Sequence, residues 1–235
     1  MTKPLVSFIS AALLSAIALD SFAATISVKI TNLTQAIYFT PLLITAHGSD
    51  TKLFRVGESA SPELQAMAEG GDLSGLVSSL EPVGASSVIN PAEGLLAPAS
   101  SVMTMSIDTG VNDLLSITAM ILPSNDGFVG VDSWPVPAEA GTYTLFLNAY
   151  DAGTEANNEL ILDGSGAPGM LGIPANPGAD SGSNGTGVTT SEANDRVHIH
   201  RGTLGDSDLN GGVSDLTSNI HRWLNPVAKL LVTVE

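Results

Sequence analysis

Acidic side chains follow two of the predicted β-strands and together could bind a metal ion. Asp126 comes shortly after the strand candidate that ends at Leu122. Asp151 and Glu155 come directly after the candidate that ends at Tyr150. Calcium takes about six to eight oxygen ligands from carboxylates, carbonyls and water, so its sites need acidic residues on converging loops. The alternative is that these aspartates only bond the backbone of their own turns.

A second acidic segment, residues 206–217, begins like the loop of an EF-hand. Oxygen-bearing side chains, among them Asp206 and Asp208, stand at positions 1, 3 and 5, and a glycine stands at position 6. Thr217, however, occupies position 12, where a bidentate glutamate is expected, and no helix pattern precedes the loop. The segment is therefore interpreted as a capped turn rather than as a second calcium site.

Two histidines suggest a different metal chemistry. His198 and His200 lie two positions apart on a strand candidate, so their rings are expected on one face. That spacing suits zinc or copper, and His221 could be a third ligand. Nothing in the sequence brings His221 near the pair, and an alternating strand with a polar face explains both residues without a metal. A metal-dependent hydrolase that uses His198 and His200 is thus an alternative function.

Other catalytic and binding chemistries are disfavoured. The chain has no Gly-x-Ser-x-Gly elbow, no His-Glu-x-x-His and no Gly-Lys-Ser/Thr phosphate loop. It has no cysteine, which excludes disulfides, thiolate metal sites and cysteine nucleophiles. With 8 Lys and Arg against 24 Asp and Glu, its net charge of −16 disfavours binding to nucleic acid, which needs a basic face. A non-catalytic protein is predicted.

The elements that must position these residues are mainly β-strands. Alternation of apolar and polar residues, or β-rich composition, predicts strands at 25–32, 37–40, 42–45, 101–107, 114–122, 141–150, 196–200 and 227–235. One helix is predicted at 61–70, where Ser61 can cap it and Pro62 suits its first position, and residues 72–77 could add a helical turn. The Gly-, Pro- and Ser-rich ranges 82–100 and 163–187 are predicted loops.

The predicted fold class is therefore all-β. Many short strands without a βαβ rhythm indicate a single antiparallel β-sandwich with one or two short helices and long loops. The helix is expected to be an attachment to the sandwich rather than a layer.

Two central motifs resemble those of the spondin N-terminal domain family. The segment 123–133 reads Pro-Ser-Asn-Asp-Gly-Phe-Val-Gly-Val-Asp-Ser, and 150–155 reads Tyr-Asp-Ala-Gly-Thr-Glu. The family pattern is Pro-Ser-Pro-Asp-Trp-Phe-Val-Gly-Val-Asp, followed after a strand by Asp-Ala-Gly-Thr-Asp-Ser-Gly. Residues 57–71 and 226–230 are similar to the helix and the last strand of the family. The chain departs from the pattern at Asn125, Gly127 and Glu155, and it lacks the cysteines of the animal domains.

The resemblance implies a β-sandwich that binds Ca²⁺ at one end and serves in extracellular adhesion or matrix interaction, without catalysis. By the same resemblance, Asp126, Asp151 and Glu155 fall at the metal-binding positions, whereas Asp132 supports the nearby turn. The partner would be a cell-surface protein or polysaccharide. Two alternatives stay open: the hydrolase described above, and a structural envelope or matrix protein without a small ligand.

The first 23 residues are predicted to be an export signal. Lys3 precedes fifteen uncharged, mostly apolar residues, Leu5 to Leu19, and Ser21-Phe22-Ala23 ends in a small-residue cleavage pattern. A membrane span needs about 20 residues, so we expect no stable membrane insertion after signal removal. Residues 24–235 would then form the spondin-like domain, secreted or periplasmic.

If this interpretation is correct, export removes residues 1–23 and leaves Ala24 as the N-terminus. Intact-mass measurement of material recovered from outside the cytoplasm should give the mass of residues 24–235. Retention of the first 23 residues in that material would contradict the prediction.

Overall fold

The computed structural model describes residues 23–191 and 194–235. The predicted export signal therefore lies almost wholly outside the described residues. The described strands are β1 (Thr25–Asn32), β2 (Tyr38–Phe39), β3 (Leu43–His47), β4 (Ser86–Ile89), β5 (Ser101–Met103), β6 (Ile107–Asp108), β7 (Leu114–Leu122), β8 (Gly127–Pro135), β9 (Gly141–Asp151), β10 (His198–Ile199) and β11 (Ala228–Val234). The helices are α1 (Pro62–Gly70) and α2 (Ser74–Leu80), and a 3₁₀ turn spans Glu81–Val83.

The strands form one antiparallel sheet that folds over on itself. Its main path runs β4-β3-β7-β8-β9-β11-β1-β5, with β2, β6 and β10 paired beside it. Strand β9 belongs to both halves: residues 141–147 pair with β11, whereas residues 148–151 pair with β8. The inner faces of the two halves share one core. The predicted all-β antiparallel sandwich is thus confirmed, and a single continuous sheet builds it.

Strict alternation of buried and half-buried side chains creates the inner face of the half that contains β1 and β11. Along β1 and β11 every second side chain is buried, including Ile26 and Ile30 on β1 and Leu230 on β11. They belong to the same apolar cluster as Ile117 and Val129 of the other half. Removal of this apolar surface from water is the main favourable contribution to the fold.

The helices cover the outer face of the β3–β7–β8 half. Helix α1 begins where the Ser61 hydroxyl accepts a hydrogen bond from the Leu64 N–H, and it ends at Gly71 with φ of 73°. Apolar side chains of α1 and α2 pack on Leu43, Met120 and Phe128 in a second cluster. The helix is therefore more than the expected attachment, because these strands are apolar on both faces and need a second cover. Within the described ranges, no helix is long and apolar enough to cross a bilayer.

Two strands were not predicted from the sequence. Strand β4 lies inside the predicted loop 82–100 and pairs with β3, while β8 follows the first motif and pairs with both β7 and β9. Strand β8 matters more, because it places the loop that contains Asp126 (the first acidic loop) beside the loop that contains Asp151 and Glu155 (the second acidic loop).

Adjacent leucines on β11 provide a test of the fold. Leu230 is fully buried between the two halves of the sheet, whereas Leu231 lies on the opposite, half-buried face. Leu230→Ala should lower the free energy of unfolding by about 2–5 kcal/mol, because it leaves a cavity in the core. Leu231→Ala should cost about 1 kcal/mol or less. Urea denaturation of both variants measures the difference, and equal losses would contradict the assigned faces.

Candidate metal centre

Register between β8 and β9 brings the two acidic loops together. Gly127 pairs with Asp151, so Asp126, one residue earlier, lies beside the start of the second loop. The Ala152 N–H donates to the Asp126 carbonyl oxygen at 3.2 Å, which extends this pairing. Asp126, Asp151 and Glu155 are all buried, with exposures of 0%, 2% and 5%. The structure therefore gathers the three predicted residues at one end of the sheet.

Asp126 holds the second loop with one carboxylate oxygen only. Its Oδ2 accepts hydrogen bonds from the N–H groups of Thr154 at 2.8 Å and Glu155 at 3.1 Å. Its Oδ1 is buried and has no hydrogen-bond partner among the described residues. Because a buried polar atom without a partner costs free energy, this oxygen is a candidate ligand atom.

Glu155 has the same division of roles. Its Oε2 accepts hydrogen bonds from Asn125 Nδ2 at 3.2 Å and from the Gly172 N–H at 3.0 Å. Its Oε1 is buried, and no partner for it occurs in the described part of the chain. Asn125, one of the departures from the family pattern, also bonds Asn158 Oδ1 and so ties the first loop to the second.

Asp151 shapes its own loop. Its Oδ1 accepts the Gly153 N–H at 2.8 Å and its Oδ2 accepts Asn157 Nδ2 at 2.7 Å. Gly153 has φ of 71°, and a Cβ there would lie only 2.6 Å from the Arg196 nitrogen. Only glycine fits this turn, which keeps the Asp151 carboxylate close to Asp126.

The electrostatics of the site favour a cation or protons. Burial, together with the charges of Asp151 and Glu155, raises the pKa of Asp126 to about 8 against the opposing N–H bonds. Burial, together with the charge of Glu69, raises the pKa of Glu155 to about 7 against the hydrogen bonds from Gly172 and Asn125. Glu69 lies on α1, fully buried, where it accepts hydrogen bonds from Gln65 Nε2 and the Gly169 N–H.

The side chains are gathered but not arranged as a coordination shell. Over residues 23–191 and 194–235, no group of three or more His, Cys, Asp or Glu side chains is arranged so that it could hold a metal ion. The donor chemistry nevertheless fits calcium, since two carboxylate oxygens lack partners among the described residues and the clustered groups are carboxylates, although His198 Nε2 also lies 3.7 Å from Asp151 Oδ2. Asp126, Asp151 and Glu155 are the residues that would hold the ion.

The histidines do not meet in one site. His198 is partly exposed, with Nδ1 bonded to the Arg196 carbonyl and Nε2 3.7 Å from Asp151 Oδ2. His200 is buried against Trp223, and its Nδ1 accepts the Gly202 N–H. His221 is fully buried, and its two ring nitrogens bond the Thr217 N–H and Asp180 Oδ1. Each of the three histidines thus has its own set of partners in the structure.

The 206–217 segment has the hydrogen bonds of a turn. Asp206 accepts from the N–H groups of Asp208, Val213 and Ser214, and these bonds lower its pKa. Asp208 accepts the Asn210 N–H in the same way. Asp132 lies outside the acidic site, on β8, where it accepts the Leu53 N–H at 2.7 Å. It anchors the loop after β3 rather than the turn it was expected to support.

The fold and site define an all-β antiparallel module with a buried acidic cluster at one end of its sheet. The Spondin_N family model matches residues 31–159, which is more than half of the chain and includes both motifs. The chain therefore belongs to the spondin N-terminal domain family. No curated protein matches it.

The raised pKa of Asp126 predicts how the metal-free protein responds to pH. Because its folded pKa lies above its unfolded value, Asp126 contributes stability at low pH that is lost as the pH rises through about 8. Asp126→Asn removes this charge. In chelator, the free energy of unfolding of the variant relative to the wild type should therefore rise between pH 5 and pH 9 by more than about 1.4 kcal/mol, the equivalent of one pKa unit.

Urea denaturation at both pH values makes the comparison. Titrating groups outside the acidic site are common to both proteins and cancel, whereas the repulsion between Asp126 and the charges of Asp151 and Glu155 is lost in the variant and adds to its gain at pH 9. Asp208→Asn is the control, because it removes the same charge from an exposed turn and should show no such pH-dependent gain in the free energy of unfolding. Equal losses of stability in the wild type and Asp126→Asn between pH 5 and 9 would contradict the prediction.

Proposed function

We propose that the protein is an exported, calcium-binding β-sandwich module for extracellular or cell-surface interaction, and that it is not an enzyme. The proposal rests on two buried carboxylate oxygens, Asp126 Oδ1 and Glu155 Oε1, which have no partner among the described residues and lie beside the buried carboxylate of Asp151. A cation there would compensate clustered negative charge that burial makes costly.

Calcium suits this site better than the other biological cations. Its coordination is flexible, and it accepts carboxylates and carbonyls at about 2.3–2.6 Å, whereas magnesium demands near-ideal octahedral geometry. Zinc would need nitrogen or sulfur ligands as well. The proposed ligands are carboxylates, with asparagine side chains and backbone carbonyls beside them, and the chain has no cysteine. His198 Nε2, 3.7 Å from Asp151 Oδ2, is a single partly exposed nitrogen.

Burial favours a binding role over catalysis. Asp126 has no exposed surface, so an ion held there would order the surrounding loops rather than meet a substrate. The hydrolase alternative gains no support, because His198, His200 and His221 have separate partners. The structural-protein alternative differs in one respect: it predicts no response to calcium.

The proposed ion would order a large part of this end of the molecule. Glu155 bonds the 163–187 segment through the Gly172 N–H, and Asp126 bonds the second loop at Thr154. These connections support a calcium-stabilised surface that presents loops to a cell-surface protein or polysaccharide. Membership of the family and the predicted export signal support a secreted or periplasmic location.

Calcium should stabilise the folded protein, since the unfolded chain has no comparable site. At free calcium about 100 times Kd, the gain in the free energy of unfolding should be about 2.7 kcal/mol. Asp151→Ala should abolish the calcium-dependent rise in Tm, and Asp126→Ala should weaken it strongly. Thermal melts in calcium and in chelator measure the rise for each protein, so that a general loss of stability in a variant is separated from lost binding.

Asp208→Ala serves as the matched control and should keep the full calcium response. Tyr150 precedes Asp151, so terbium, which takes oxygen ligands as calcium does, should show tyrosine-sensitised luminescence that Asp151→Ala removes. Identical melting of the wild type in calcium and chelator would overturn the proposal. A larger effect of Asp208→Ala than of Asp151→Ala would place the ion in the 206–217 loop instead.

A further inference from the structure

An open groove lies between the segment after β10 and the segment before β11. Its volume is about 460 Å³, and it is lined by Arg201, Thr203, Leu204, Arg222, Trp223 and Leu224. Its size falls in the range of about 300–1,000 Å³ that is usual for ligand sites. None of these residues belongs to the acidic site or to the family motifs.

The walls of the groove are fixed by hydrogen bonds. Thr203 Oγ1 donates to the His221 carbonyl at 2.8 Å, and Arg222 Nε donates to the Leu204 carbonyl at 2.6 Å. The Glu159 carboxylate accepts the N–H groups of Leu204 at 2.6 Å and Gly205 at 2.8 Å. The two segments are therefore joined to each other and to the loop that carries Glu159, and the groove exists before anything binds in it.

Apolar side chains are held in solvent on these walls. Leu224 is 86% exposed and Leu204 is 48% exposed. Single exposed leucines are common, but the neighbours of Leu224 are fixed on both sides. Trp223 is buried, and Asn225 makes two hydrogen bonds to the backbone of Ala149. Leu224 thus cannot turn into the core, and a partner could bury it.

The charge of the groove is opposite to that of the molecule. The chain has a net charge of −16, yet two exposed arginines, Arg201 and Arg222, line the groove. The ion pairs found in the described residues include neither of them. Guanidinium groups without a carboxylate partner favour an anionic ligand, and they bind carboxylates with two parallel hydrogen bonds.

We propose that this groove binds a segment of a partner protein in which a carboxylate side chain stands next to a large apolar side chain. Arg201 and Arg222 bind the carboxylate, and the apolar side chain packs on Leu204, Trp223 and Leu224. Arginine and tryptophan are the residues that most often dominate protein interfaces. A polysaccharide would leave the leucines without an apolar partner. The inference rests on the proposed interaction role but not on calcium.

Selection from a random peptide library displayed on phage, with the full chain immobilised in calcium buffer, tests the proposal. Enriched peptides should carry Asp or Glu next to Leu, Phe or Trp. Arg201→Glu and Leu224→Ser should each weaken the binding of synthetic versions at least about tenfold, or about 1.4 kcal/mol. Both side chains are exposed, so these variants should keep the fold.

Lys29→Glu and Leu209→Ser are matched controls. Each should change peptide binding less than about twofold, which is well below the tenfold weakening expected for the groove variants. The first makes the same charge change on a strand distant in sequence, and the second removes a leucine that is 53% exposed elsewhere.

Absence of enriched peptides, or binding that survives either groove variant, overturns the inference. Binding of alginate, an anionic polysaccharide, in the groove in place of any peptide also overturns it. Peptide binding that persists in chelator, in a protein that melts identically with calcium, would remove the calcium proposal and leave this one standing.

Discussion

Pairing between β8 and β9 is the constraint on which this end of the molecule depends. It sets Asp126 against the loop that carries Asp151 and Glu155, and the Asp126 carboxylate then accepts two backbone N–H groups of that loop. All three carboxylates are buried at this end of the sheet. A hydrogen bond to a charged acceptor strengthens in a buried site, but desolvation penalises the charge itself. The loops are thus held together by groups that need a compensating partner.

The strands were predictable where buried and exposed side chains alternate, or where a long run is apolar almost throughout. Strands β1 and β7 have the predicted bounds, and β9 and β11 differ from prediction by at most one residue at either end. Alternation along β1, β9 and β11 records which side chains enter the core, whereas β7 is a run of nine mostly apolar residues. Strand β8 gave no such signal, since its first four residues are buried on both faces and include Gly127 and Gly130. A Cβ at Gly130 would lie 2.9 Å from the Ile117 carbonyl. Strand β4 is a four-residue edge strand, too short for a period to show.

The acidic site was predictable only in part. Motif resemblance and loop position identified Asp126, Asp151 and Glu155, whereas Glu69 and Asn125 were not assigned to the site. Glu69 approaches Glu155 only because α1 packs over the sheet, and that tertiary contact leaves no local pattern. Asn125 could have been suspected as a departure from the family pattern within the first motif. Its amide joins Glu155 and Asn158, a bonding that proline lacks the side-chain donors to make.

Glu159 links the acidic site to the groove. It stands four residues after Glu155, in the left-handed region at φ of 57°, with 3% exposure. Its N–H donates to Asn125 Oδ1 in the first acidic loop, while its carboxylate holds Leu204 and Gly205 in the groove wall. A non-glycine residue keeps such a conformation only where its surroundings determine it. Under the proposed function, an ion that ordered residues 151–159 would therefore also fix the groove wall, so that one stretch of chain serves both the metal and the partner.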